Sequence, residues 1–170
     1  MKVFLETMII VTLAFILTSC KNNNDNGGTN DLESYLTAKI DGVNFSPQFS
    51  GGVRTNIAAD TITISGNNND GEQITLLVPA NAPFGTHILG ALSGTLSTYT
   101  AAYDVNDNAD DGGELAASGS ITITAHDVNG QKINGTFNFV TGPTPSTTIA
   151  DVFTITEGAF DISYINVEDL

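Results

Sequence analysis

The chain predicts an all-β domain, an antiparallel sandwich or barrel, on three observations. Apolar residues alternate with Thr, Ser and other polar residues at period two in one short segment after another, as in strands with one buried and one wet face. Turn-favouring pairs (Asp41-Gly42, Asp70-Gly71, Asn129-Gly130, Asn134-Gly135) and the loop prolines Pro79, Pro83, Pro143 and Pro145 punctuate those segments. After residue 32 no stretch shows helical periodicity.

The first element is a leader. Lys2 precedes the apolar run Met8 to Leu17, and Leu17-Thr18-Ser19-Cys20 closes it with small residues ahead of the only cysteine. Such a run is too short to span a bilayer permanently, which takes about 20 apolar residues. Residues 1–19 are therefore expected to be a lipoprotein signal peptide, cut between Ser19 and Cys20, with the Cys20 thiol carrying a diacylglyceryl group and long acyl chains of the palmitate type. Each buried methylene adds about 0.8 kcal/mol, so two or three chains would hold the product on a membrane. Acylation of Cys20 also leaves no thiol for disulfides, metal ligation or nucleophilic catalysis.

Residues 20–31 form the next element, a lipidated flexible tether. Lys21 to Asn30 is apolar-free and rich in Asn and Gly, so nothing in it can offset the entropy of ordering. About ten such residues reach roughly 15 to 20 Å as a coil. The domain itself is expected over residues 32–170, a size sufficient for one core.

Within it the apolar series runs Leu36, Ala38, Ile40; Val43, Phe45; Ile62, Ile64; Ile74, Leu76, Val78; and Ile121, Ile123. It continues with Ile133, Phe137, Phe139; Phe153, Ile155; and Phe160, Ile162, Tyr164. Parity sharpens one pairing, because facing residues must share a side of the sheet. Ile121, Ile123, Phe137 and Phe139 are all odd-numbered, which demands an odd-length loop between their strands. Val128-Asn129-Gly130 is the expected loop, a type I turn with Gly130 left-handed in a bulge, setting Ile121 opposite Phe137 and Ile123 opposite Gly135.

Charge narrows the partners. Five Lys and Arg against nineteen Asp and Glu give a net charge of −14, unchanged by leader removal because Lys2 and Glu6 leave together. Such a field disfavours nucleic acid and electrostatic docking on anionic lipid, so the membrane is engaged through lipid on Cys20.

No residue pattern points to an enzyme. A serine hydrolase of the elbow type needs Gly-x-Ser-x-Gly before a helix, and neither is present. Asp104, Asn106, Asn108, Asp110, Asp111 and Glu114 place oxygen donors at roughly alternate positions, as calcium loops do. Ala109 stands where the sharp turn needs Gly, and Leu115 where a bidentate Glu belongs, so a solvated acidic loop is the favoured reading and Ca²⁺ the alternative. No other cofactor is indicated. His87 and His126 have no second ligand at metal spacing, and each is read as a surface histidine, His126 on the wet face of its strand. Asp60-Thr61-Ile62 matches a short acceptor for O-glycosylation of exported proteins on Thr61, or simply begins a strand.

The segments 36–45, 119–127, 133–139 and 155–160 together resemble small Bacteroidota-type lipoproteins of unknown function with a single β-rich domain. The resemblance covers roughly residues 35 to 165 and implies a common β-rich domain with no named activity; with the leader and Cys20, the expected location is the bacterial cell envelope, lipid-anchored in the outer membrane, with periplasmic or cell-surface display open. It carries no catalytic residue. The expected role is a non-catalytic binding module for a protein or glycan partner, with the loops Pro79 to Gly85, Asp104 to Gly113 and Thr141 to Ser146 as contact points. The alternatives are a structural envelope protein without a small-molecule ligand, and a calcium-binding β domain.

Overall fold

The computed structural model describes residues 34–56, 60–90, 98–105, 113–143 and 151–167. The leader, Ser19, Cys20 and the tether lie outside them. Among the described residues there are ten strands: β1 (Tyr35–Ile40), β2 (Val43–Phe45), β3 (Phe49–Thr55), β4 (Thr61–Asn67), β5 (Gln73–Pro79), β6 (Gly85–Leu89), β7 (Thr100–Asp104), β8 (Glu114–Asp127), β9 (Lys132–Thr141) and β10 (Thr154–Asn166). No α-helix occurs among the described residues.

Seven strands close on themselves in the order β3, β4, β5, β7, β8, β9, β10 and back to β3, so the fold is a barrel. Closure depends on the two longest strands changing neighbours along their length. The start of β8 pairs with β7 at Leu115 and Glu114, whereas Gly119 to Ile123 pair with β6. The first part of β10 pairs with β1, and its last residues Tyr164, Ile165 and Asn166 pair with Gly52, Val53 and Arg54 of β3. That last pairing is parallel, so the expected antiparallel sheet is antiparallel at every pair except the seam that closes it. Strands β1–β2 and β6 extend the wall as flaps outside the ring.

The alternating residues fill the barrel. Ile62, Ile64, Ile74, Leu76, Val78, Ile121, Ile133 and Ile162 are completely buried, and Phe139, Phe160, Tyr103 and Tyr164 pack among them. Each such side chain contributes about 1.5 to 3 kcal/mol on removal from water. Val43 departs from its series: it is 70% exposed, because it comes directly after the β1–β2 turn at the rim where nothing covers it. Phe153 is only partly buried against the core.

Turn chemistry behaves as expected at Asp41-Gly42. Both residues take positive φ, 49° and 84°, and join Ile40 to its partner Val43 as a two-residue hairpin. By contrast, Asn134-Gly135 is not a turn but lies within β9. Gly135 is there because a Cβ would run into the Thr122 carbonyl of β8 and into the ring of its partner Phe160, 2.8 Å from Cζ. The aromatic ring from one strand covers the glycine of the next and seals the core where no side chain could fit.

The β8–β9 hairpin keeps the expected register but not the expected loop. Ile121 faces Phe137 and Ile123 faces Gly135. Asp127 pairs with Lys132, leaving a four-residue loop whose left-handed residue is Gln131, φ 53°, not Gly130. An Asp127 carboxylate oxygen accepts the Gly130 N–H at 2.8 Å and shapes the turn. The odd residue that parity demands is absorbed further back, where Ile123 and Ala125 face Gly135 and Asn134, so that Thr124 is extra.

Three strands carry no clear alternation in sequence. β3 reads Phe-Ser-Gly-Gly-Val-Arg-Thr and is half-buried along most of its length. β7 turns Ala101 and Tyr103 inward, a small and a large residue. β6 lies outside the ring and leaves Ile88 exposed.

Candidate functional site

The barrel has two unlike ends. Strand directions bring the β3–β4, β5–β6 and β8–β9 connections, the end of β10 and the start of β1 to one of them, called the near end because the described chain begins there at Ser34. The Ser163 N–H donates to Ser34 Oγ at 3.0 Å, fixing that starting point against β10. The β1–β2 and β4–β5 turns and the β7–β8 and β9–β10 connections gather at the far end. The three loops expected as contact points are thus divided: Pro79 to Gly85 is at the near end, the described ends of the other two, at Asp104, Gly113 and Thr141, are at the far end, and residues 106–112 and 144–146 lie outside the described residues.

At the near end an open-sided pocket of about 320 Å³ is lined by Asn81, Ala82, Pro83, Phe84, His126 and Val128. Phe84 is 69% exposed on its rim and Val128 is 42% exposed opposite. His126 forms the floor, which corrects its reading as a wet-face residue. The extra residue at Thr124 reverses the facing of the rest of the strand, so His126 sits opposite the fully buried Ile133. Its Nδ1 lies 3.1 Å from the Ala82 carbonyl and its Nε2 3.4 Å from the Tyr164 hydroxyl. These partners select the tautomer with the proton on Nδ1, donating to Ala82 and accepting weakly from Tyr164. Burial pushes the Tyr164 phenol above its ordinary range. His87 is also not free on the surface, since its Nε2 lies 3.0 Å from the Pro83 carbonyl and its ring stacks on Tyr99 at 4.2 Å.

Beside it a smaller cavity of about 130 Å³ is lined by Arg54, Asn56, Asp60 and Asn166. Arg54 Nε and Nη2 each donate to an Asp60 carboxylate oxygen at 2.8 Å. That fork holds the Asp60 carboxyl below the usual carboxylate range. Thr61, the O-glycosylation candidate, is the half-buried first residue of β4 and faces Thr55 and Pro79 in the ladders. Sequence alternation gives no hint of the Arg54–Asp60 pair, because neither residue belongs to the apolar pattern.

The far end is acidic. Asp41, Asp70, Glu72, Asp104, Glu114 and Asp151 lie on its turns and strand ends. The Tyr103 hydroxyl donates to Glu72 Oε1 at 2.7 Å, and Asn68 Nδ2 donates to Glu72 Oε2 at 2.6 Å. Burial raises the Tyr103 phenol, and Glu72, Asp41 and Asp104 push it further in the same direction, so these carboxylates share one neighbourhood. Of the calcium candidates, Asp104 ends β7 and Glu114 starts β8, and Glu114 is laddered to Tyr103. Asn106, Asn108, Asp110 and Asp111 lie outside the described residues. Among the described residues no group of three His, Cys, Asp or Glu is placed to hold a metal ion.

The family described as a domain of unknown function, DUF6252, matches residues 33–162. The chain belongs to that family. The DUF6252 match starts just before β1 and runs through β10 as far as Ile162, so it takes in the connections at both ends of the barrel. No curated protein and no solved structure matches the chain.

Proposed function

We propose that this DUF6252 member is a membrane-anchored lipoprotein of the bacterial cell envelope, held by lipid on Cys20, whose barrel acts as a non-catalytic binding module. The partner is a protein or glycan presenting positive charge, and the acidic far end is its contact surface. One observation supports this above the rest: the carboxylates are segregated. Asp41, Asp70, Glu72, Asp104, Glu114 and Asp151 crowd one end. The described cations Lys39, Arg54 and Lys132 are committed to Glu157, Asp60 and Asp161 at 2.8, 2.8 and 3.0 Å. A rigid barrel that concentrates one sign of charge on a rim of turns speeds encounter with an oppositely charged partner and selects against others.

Binding of this kind weakens with salt, because the Debye length shortens from about 10 Å at 0.1 M to about 3 Å at 1 M. The test is a pull-down from envelope extract and a glycan array with the protein at low and high salt, alongside an Asp70→Asn, Glu114→Gln, Asp151→Asn variant. A saturable partner lost at high salt and in the variant is the expected result. Absence of any saturable partner would favour a purely structural envelope role.

A further inference from the structure

We propose that the near end of the barrel rests on the phospholipid surface to which the chain is tethered, with Phe84 and Val128 entering the interface. The proposal rests on the reading that Cys20 carries lipid. Three observations converge on it.

The first is where the chain outside the barrel begins. Ser34 is bonded to the Ser163 amide, one residue from Tyr164, and the Tyr164 hydroxyl reaches His126 on the pocket floor. On the tether reading, the leash from Cys20 to Ser34 is about fourteen residues long and reaches roughly 20 Å. A leash of that length attached at the near end holds this end, on average, closer to the bilayer than the far one.

The second is charge. Among the described residues two of the three near-end carboxylates are paired with cations, Asp60 with Arg54 and Asp161 with Lys132, and Asp127 keeps its charge while accepting the Gly130 N–H. The far end gathers its carboxylates with Lys39 as its nearby described cation, itself 2.8 Å from Glu157. Phosphate-bearing head groups repel the far end more strongly than the near one.

The third is shape. Phe84 projects from the β5–β6 loop with more than two thirds of its surface in water, and Val128 stands across the same pocket. An exposed apolar ring beside Pro83, sharing a pocket with His126, suits entry at the boundary between head groups and acyl chains. The leash supplies the affinity, so the patch need only orient the barrel. The far end is thereby turned outward, where the acidic contact surface is needed.

The absence of tryptophan from the chain makes the test direct. Full-length protein from a lipidating bacterial host carries a single Phe84→Trp, Val128→Trp or, at the far end, Val43→Trp substitution, all three at exposed sites. Each is reconstituted into phosphatidylethanolamine and phosphatidylcholine vesicles containing acyl-brominated lipid, with mass spectrometry of the amino terminus and vesicle flotation run in parallel. The expected result is blue-shifted emission with loss of most of its intensity for the first two variants, and unchanged emission for Val43→Trp. Acylated, floating protein whose tryptophans at 84 and 128 stay unquenched overturns the orientation and leaves the anchor standing, as does quenching at position 43 instead. An unmodified Cys20 with no flotation overturns the anchor, and the orientation falls with it.

Discussion

Tyr103 shows how much a single side chain can organise. It is almost fully buried, its ring meets Phe153 edge-on at 4.9 Å, and its hydroxyl ends at the Glu72 carboxylate. A hydrogen bond to a charged acceptor contributes about 1.5 to 3 kcal/mol. The phenol is raised above its ordinary value near 10, chiefly by burial and then by Glu72. A group raised in the folded state contributes stability that is whole below the unfolded pKa and is lost as pH climbs toward the folded one. Tyr103→Phe should therefore lower stability by roughly 1 to 3 kcal/mol at pH 7 and flatten the loss of stability above pH ~10, as read by denaturant unfolding across that range. Tyr99 and Tyr164, raised in the same direction by burial, keep part of that alkaline loss in the variant. Single residues are also where the sequence is least legible. Tyr103 does not stand out in it, because Ala101, its companion in the alternation, is too small to signal a core. The inward facing of His126 is equally hidden, because an extra residue at Thr124 has no signature in a stretch of Thr, Ala and Ile.

At the scale of elements, period two locates most strands, and bulges decide what their ends do. In β10, Ile155 points inward and so do Phe160, Ile162 and Tyr164, although their parities differ. The structure accounts for the change at Glu157, φ 51°, which is extra with respect to both neighbours: one residue of β1, Ala38, and one of β9, Asn138, each stand opposite two of β10. Its ion pair with Lys39 is largely exposed and contributes little, so the value of Glu157 is its place in the count. Deletion of Glu157 should turn Phe160, Ile162 and Tyr164 to solvent and abolish cooperative unfolding by circular dichroism. Glu157→Gly, which suits the left-handed backbone, should unfold within about 1 kcal/mol of the parent. Equal stability of the deletion and the parent would contradict the count. Parity is informative in the same way in the β8–β9 hairpin: it requires an odd residue and fixes the Ile121–Phe137 register, but does not say whether the residue sits in the loop or in the strand. β3 and β6 are illegible for a different reason, since one runs through Gly51 and Gly52 at the seam and the other is a flap, and neither needs an alternating face.

At the scale of the whole molecule, alternation and turn pairs are enough to predict the all-β class and a barrel or sandwich, whereas closure leaves no such mark. Closure is made by long-range pairing of Gly52 to Arg54 with Tyr164 to Asn166, which has no periodic trace. It is nonetheless what creates two ends, one with most of its described carboxylates paired and holding the start of the described chain, the other acidic. An open sheet would not separate those surfaces. The most direct test is nuclear magnetic resonance of the folded domain, recording amide exchange and cross-strand nuclear Overhauser contacts at the β3–β10 seam. A closed barrel predicts contacts of parallel type between Val53 and Ile165, with seam amides exchanging as slowly as those of β4 and β5. Seam amides exchanging as fast as turn amides, with no contact between the two strands, would show two open sheets and remove the basis for the division of surfaces.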